Sequence, residues 1–176
     1  MKSRYSILFF IVLFVTSCTK TLQPIDSIPK HETFTIPSKK VNETRVINVW
    51  TPENYKTSTD SLPVMYMADG GIKEDFPHIA NTLAELIKQN KIKPIILVGI
   101  ENTQRRKDLS GFTTVEKDKE IAPEVGGSAQ FRAFIKEELF AEITKKYRTS
   151  AHHELYMSKF LLEETVKCIV TKKDKF

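Results

Sequence analysis

The sequence predicts an α/β fold built on a parallel sheet, and three observations carry that prediction. First, Leu62–Gly71 (LPVMYMADGG) contains an apolar run, Val64 to Ala68, that stops at Asp69-Gly70-Gly71. Second, Lys93–Ile100 (KPIILVGI) is another aliphatic run, and neither run alternates apolar with polar residues. Unbroken runs of this length suit strands buried on both faces. Third, Glu74–Asn90 lies between them and is long enough for a crossover helix. Strand, helix and strand at this spacing form a βαβ unit, whose two strands run parallel. Functional groups of such sheets gather at the carboxyl ends of the strands. Asp69-Gly70-Gly71 and Glu101-Asn102-Thr103 stand at those ends.

The remaining elements follow in chain order. Lys2 and Arg4 precede the apolar run Ile7–Val15, which leads into Val15-Thr16-Ser17-Cys18. A basic head, a short apolar core and small residues before a cut are the marks of a secretory signal over residues 1–17. The run is too short for a comfortable membrane span. A cysteine directly after Ser17 resembles a bacterial lipobox. That resemblance implies that Cys18 carries lipid and becomes the first mature residue; the alternative is an ordinary signal peptide with an incidental cysteine. Residues 18–30, with Pro24 and Pro29, then read as a lipidated tether, and residues 31–176 as the domain. The expected location is the bacterial cell envelope, anchored at the periplasmic or outer-membrane face. Only Cys168 remains beyond Cys18, so no internal disulfide is expected.

His31–Pro37 and Glu43–Thr51 are β-rich and joined by a short polar stretch, as in an antiparallel hairpin. Ile47 and Val49 fall on one face of the second strand, Val46 and Trp50 on the other. Pro52–Asp60 reads as a polar loop. Pro77 suits the first turn of the crossover helix, where its missing N–H costs nothing. Ile79, Leu83, Leu86 and Ile87 give that helix an apolar stripe, and the lysines of Lys88–Lys93 complement its dipole. Glu101–Gly127 is a long, charged connection, a kind of segment that often carries function. Ser128 reads as the N-cap of a further helix through Tyr147, with Phe131, Phe134, Ile135, Leu139 and Ile143 at helical spacing. His153–Met157 reads as a fifth, short strand and Lys159–Val170 as a last helix.

Composition is that of an ordinary globular domain, with a formal net charge of +5. Without Lys2 and Arg4, 25 basic residues face 22 acidic ones. That balance, spread along the chain, reads as a solvated surface and argues against a nucleic-acid partner.

Two antiparallel strands followed by β-α-β-loop-α-β open the α/β-hydrolase fold. RVINVWTPENY, LPVMYMADGG, ILVGIENTQRRKDLS and GGSAQFRAFIKEELFAEITKKYRTS narrow the likeness. Over Glu32–Ser150 the chain resembles the esterase family that includes esterase D and the siderophore esterases. The resemblance implies a partial α/β-hydrolase fold, and attack on an ester by a serine in a G-x-S-x-G elbow followed by an acid and a histidine. It also implies that the loop after the third strand gives a backbone N–H to an oxyanion hole, which here makes Gly70 and Gly71 the oxyanion-loop residues. The plainer alternative for Asp69-Gly70-Gly71 is a tight turn without catalytic meaning.

The elbow itself is missing. Ser158 falls where the nucleophile belongs, within Leu155-Tyr156-Met157-Ser158-Lys159-Phe160, but has no flanking glycine. It is the candidate nucleophile; a surface or N-cap serine is the alternative. Ser128, in Gly126-Gly127-Ser128, follows a loop and fits a helix start better than an elbow. His152 and His153 precede Ser158, and five residues of strand span about 16 Å, far beyond hydrogen-bond reach. His78 lies near the right edge but alone. Adjacent histidines with no ligand set nearby predict no metal site, and no cofactor is implied. The expectation is therefore an esterase-family lipoprotein that ends early, lacks an intact triad and is inactive or very weak. Its partners would be the membrane, through lipid, and a small ester or other ligand. The alternative is a non-catalytic ligand-binding lipoprotein using Glu101–Gly127.

Overall fold

The computed structural model describes residues 26–121 and 124–156. The leader, Cys18, Ser158, the helix expected over Lys159–Val170 and Cys168 lie outside the described residues. Five strands form one mixed sheet: β1 (Glu32–Ser38), β2 (Glu43–Trp50), β3 (Leu62–Met67), β4 (Ile96–Ile100) and β5 (Thr149–Tyr156). Their order across the sheet is β1-β2-β4-β3-β5. β1 and β2 form the antiparallel hairpin, with Glu32 opposite Val49 and Ser38 opposite Glu43. β2 runs antiparallel to β4, with Ile47 opposite Ile100. β3 lies parallel to β4, Val64 beside Ile96, and parallel to β5, Leu62 beside Thr149. The sequence-predicted βαβ unit is thus the centre of the sheet. β5 begins four residues before the expected start at His153.

Helices cover both faces. α1 (Phe76–Lys88) is the crossover helix, with Pro77 in its first turn. Phe76, Ala80 and Leu83 pack against Trp50, Met67 and Leu97. Its end is a Schellman motif: Lys91 N–H reaches Leu86 O and Asn90 N–H reaches Ile87 O, both at 2.9 Å. Asn90 accordingly sits at φ 54°.

The opposite face receives α4 (Ser128–Phe134), a π turn (Ile135–Leu139) and α5 (Phe140–Lys146). Phe131, Phe134, Leu139 and Ile143 from this run bury themselves on Ile47, Val64, Tyr66 and Val98. Each such side chain contributes about 1.5–3 kcal/mol through burial, which outweighs the poorer backbone geometry of one π turn. The N-cap is Gly127 rather than Ser128, which is the first helical residue and is buried. Gly127 is crowded by Lys107, whose carbonyl accepts its N–H at 2.9 Å.

The two expected loops carry structure. Glu53–Lys56 is a 3₁₀ turn that buries Tyr55. Within 101–127 lie two short helices, α2 (Arg105–Leu109) and α3 (Glu116–Ile121). α2 is fixed by a buried ion pair, because Arg45 on β2 donates to Asp108 through Nη1 at 2.6 Å and Nη2 at 2.8 Å. Arg45 also pairs with Glu43 and lies over the Phe131 ring.

Candidate functional site

The site is the carboxyl edge of β3 and β4, where the apolar run breaks at Asp69. Asp69 has φ 56°, a conformation that aspartate tolerates better than most residues. Gly70 follows and presses against β4. A Cβ there would lie 2.3 Å from the Gly99 Cα, and one on Gly99 would lie 2.5 Å from the Gly70 carbonyl oxygen. Two glycines facing each other let the turn cross the end of the neighbouring strand. The Gly70 N–H donates to Ile100 O at 2.9 Å. Its carbonyl accepts from Asn48 Nδ2 at 2.9 Å, and Asn48 Oδ1 in turn accepts from Thr33 Oγ1 at 2.7 Å. β1, β2 and β4 thus all brace one turn.

Gly71 presents its N–H to a carboxylate. Glu74 Oε2 accepts it at 2.6 Å and also accepts the Asn102 N–H at 3.4 Å. Asn102 Nδ2 donates to Glu74 Oε1 at 2.8 Å and to Asp69 Oδ1 at 2.5 Å. Arg105 grips Asp69 with both nitrogens, Nε to Oδ1 at 2.5 Å and Nη2 to Oδ2 at 3.0 Å. The hydrogen bond to Asp69 raises the Arg105 pKa still further, so its charge is permanent. The turn after β3 and the segment after β4 are thereby joined by two carboxylates, one amide and one guanidinium.

Of the residues singled out from sequence, Gly70 and Gly71 occupy the same turn, with different partners for their N–H groups. His78, on the first turn of α1, is exposed and pairs with Asp26 Oδ2 at 2.8 Å through Nδ1. His31 Nδ1 lies 2.7 Å from Pro29 O. Ser128 is at the start of α4, its N–H on Ser110 O at 3.2 Å. The backbones of His152 and His153 lie in β5, His153 beside Val64. Among the described residues no three His, Cys, Asp or Glu side chains are grouped to hold a metal ion. The sequence reading assigned no role to Asn48 or Glu74, and placed Asn102 at a strand end and Arg105 in the 101–127 segment without pairing them with Asp69. One signal was available, the three-residue spacing of Gly71 and Glu74, which resembles a capping box.

An α/β sheet with a braced glycine turn at its carboxyl edge is an architecture that gathers ligands at that edge, and comparison with known proteins gives the family. The family profile described as "Putative esterase" matches residues 38–157, so the chain belongs to that esterase family. Among solved structures it is similar to an IroE-like serine hydrolase from Shewanella oneidensis, at 29% identity and TM-score 0.65. The match covers 72% of this chain and 42% of that one. The siderophore hydrolase EstA from Aspergillus nidulans shares the fold at 21% identity and TM-score 0.64, over 88% of this chain and 57% of that one. The BES protein from Bacillus cereus does so at 22% identity and TM-score 0.58, over 76% and 54%. The chain therefore spans about half the length of the solved relatives it matches, or less. No curated protein sequence matches it.

Proposed function

We propose that this chain is a lipid-anchored member of the esterase family whose own ester hydrolysis is absent or very weak. Acyl transfer on this fold needs three things: a raised serine hydroxyl, a histidine within about 3 Å to take its proton, and N–H donors for the oxygen that becomes negative. The observation that supports the reading is the third part, an N–H donor at the carboxyl edge of β3, with no serine–histidine hydrogen bond beside it among the described residues. The Gly71 N–H already binds a carboxylate oxygen at 2.6 Å, as an oxyanion donor would. Among the described side chains, His31 bonds Pro29 O and His78 bonds Asp26, each through Nδ1, and neither is bonded to a serine. Ser158, which follows β5 in the sequence where the fold family carries its nucleophile, is the serine to test. Without a complete triad, acceleration falls to about 10³–10⁴-fold over water.

The test uses purified chain and activated aryl esters. Hydrolysis should stay at background, and Ser158→Ala should change nothing. Turnover well above background that disappears in Ser158→Ala would overturn the inactive half of the proposal.

A second reading, a ligand-binding lipoprotein, is favoured by one observation. An open groove of about 260 Å³ lies between the β1–β2 turn and the 101–127 segment, lined by Lys40, Glu43, Lys107, Val125 and Gln130 among others. A small ester that raises the Tm while remaining unhydrolysed, and does so no longer after Lys107→Glu, would favour this reading.

A further inference from the structure

We propose that Glu74 is the resident occupant of a small-carboxylate site formed by the Gly71 and Asn102 amides, and that it closes this site in the resting chain. The proposal rests on the hydrolase reading only for what the site is for, namely receiving the carboxylate or carbonyl oxygen of an ester-derived ligand.

Three donors from two segments converge on the Glu74 carboxylate: Gly71 N–H at 2.6 Å, Asn102 N–H at 3.4 Å and Asn102 Nδ2–H at 2.8 Å. Donors that meet from the ends of two adjacent parallel strands form a pocket for an anion, in the place where this architecture gathers its ligands. Glu74 lies before α1, in a turn, half-buried, on a side chain with three rotatable torsions.

The donors are held by other groups. Gly70 is bonded to Ile100 and Asn48, and Asn102 is also bonded to Asp69, itself clamped by Arg105. Gly71 follows the braced Gly70, and Asn102 keeps its bond to Asp69 when the Glu74 carboxylate leaves. The slot is also lined by glycine. A Cβ on Gly71 would meet Glu74 Oε2 at 2.8 Å and Glu101 Cγ at 3.0 Å, so any side chain there would fill the space. In Glu74→Ala a bound carboxylate restores the charge that Glu74 holds beside the Asp69–Arg105 pair. A monoanion thus fits better than phosphate.

The competing account is purely structural. The Glu74 N–H donates to Gly71 O at 3.0 Å, so the two residues reciprocate as in a capping box. Acetate separates the two. In the full ¹⁵N-labelled chain, acetate at constant ionic strength should leave the Gly71 and Asn102 amide resonances unmoved. In Glu74→Ala the same two resonances should shift saturably with acetate, with chloride producing no such shift. Glu74→Gln, which keeps an oxygen for the turn, should respond more weakly and decides the matter where Glu74→Ala does not fold. A folded variant whose Gly71 and Asn102 amides ignore acetate overturns the proposal, as does a wild-type chain that binds acetate equally well. Ester turnover does not enter the readout, so failure of the esterase reading leaves the result interpretable.

Discussion

Arg45 is 1% exposed and Asp108 3%, so their ion pair is buried. Removing one member of a buried pair strands the other, at a cost of about 3–5 kcal/mol. The two members are not equivalent. Asp108→Ala leaves Arg45 with Glu43, whereas Arg45→Met leaves Asp108 enclosed without its guanidinium. Arg45→Met should therefore lower stability more than Asp108→Ala, and Arg45→Met with Asp108→Leu should recover part of the loss; urea unfolding of the three variants measures this. Two tyrosines give a pH effect of definite sign. Burial raises the Tyr66 hydroxyl above its ordinary 10.0, and burial together with the hydrogen bond to Glu32 raises Tyr147. The folded chain thus holds these protons at pH values where the unfolded chain has lost them. Their contribution is complete below pH 10 and is lost as pH rises beyond it. Tm measured from pH 9 upward should fall above about pH 10, and Tyr147→Phe should flatten that fall.

The elements differ in how openly the sequence displays them. β3 and β4 are legible as unbroken apolar runs, because burial leaves them few polar positions, and α1 is legible because one helical period runs along it. α2 and α3 are too short to show a period. α2 exists because Asp108 meets Arg45, 63 positions away, and such a contact leaves no local mark. The π turn is hidden for a related reason: Ile135, Leu139 and Ile143 recur every four residues, a spacing compatible with an uninterrupted α-helix. At the candidate site, the glycines were legible as a break in an apolar run. Their partners Asn48 and Glu74 were not, since each is an ordinary polar residue until the sheet places it, and Asn102 was legible only as a residue at a strand end. Glycine substitutions test the element scale. Gly70→Ala should prevent folding or cost several kcal/mol, because its Cβ would fall 2.3 Å from β4 backbone that cannot yield. Gly111→Ala, whose Cβ would meet nothing within 4 Å, should stay within about 0.5 kcal/mol of wild type. Thermal denaturation of both variants gives the comparison.

For the molecule as a whole, attachment is the property to measure. Among the described residues no helix is long and apolar enough to cross a membrane. Anchoring under our proposal therefore depends on Cys18. Cys18→Ala should release the chain from sedimented membranes or leave its leader uncleaved, and intact mass should show the lipid on Cys18 in the wild type. An unmodified mature Cys18 would refute the anchor.

The strand order has a consequence for the life of the chain before it is folded. β3 sits between β4 and β5, and both of its neighbours come later in the sequence. Its Val64–Ala68 run, the segment with most to lose in water, is thus among the first made and the last enclosed. The roughly ninety residues from Leu62 to Tyr156 take about 5–20 s to appear at ~5–20 residues per second of synthesis. β1 and β2 can close their hairpin at once, but β2 offers its other edge only to β4. β4 follows soon after β3, but until β5 emerges the other edge of β3 stays unpaired, a natural client for a holding chaperone.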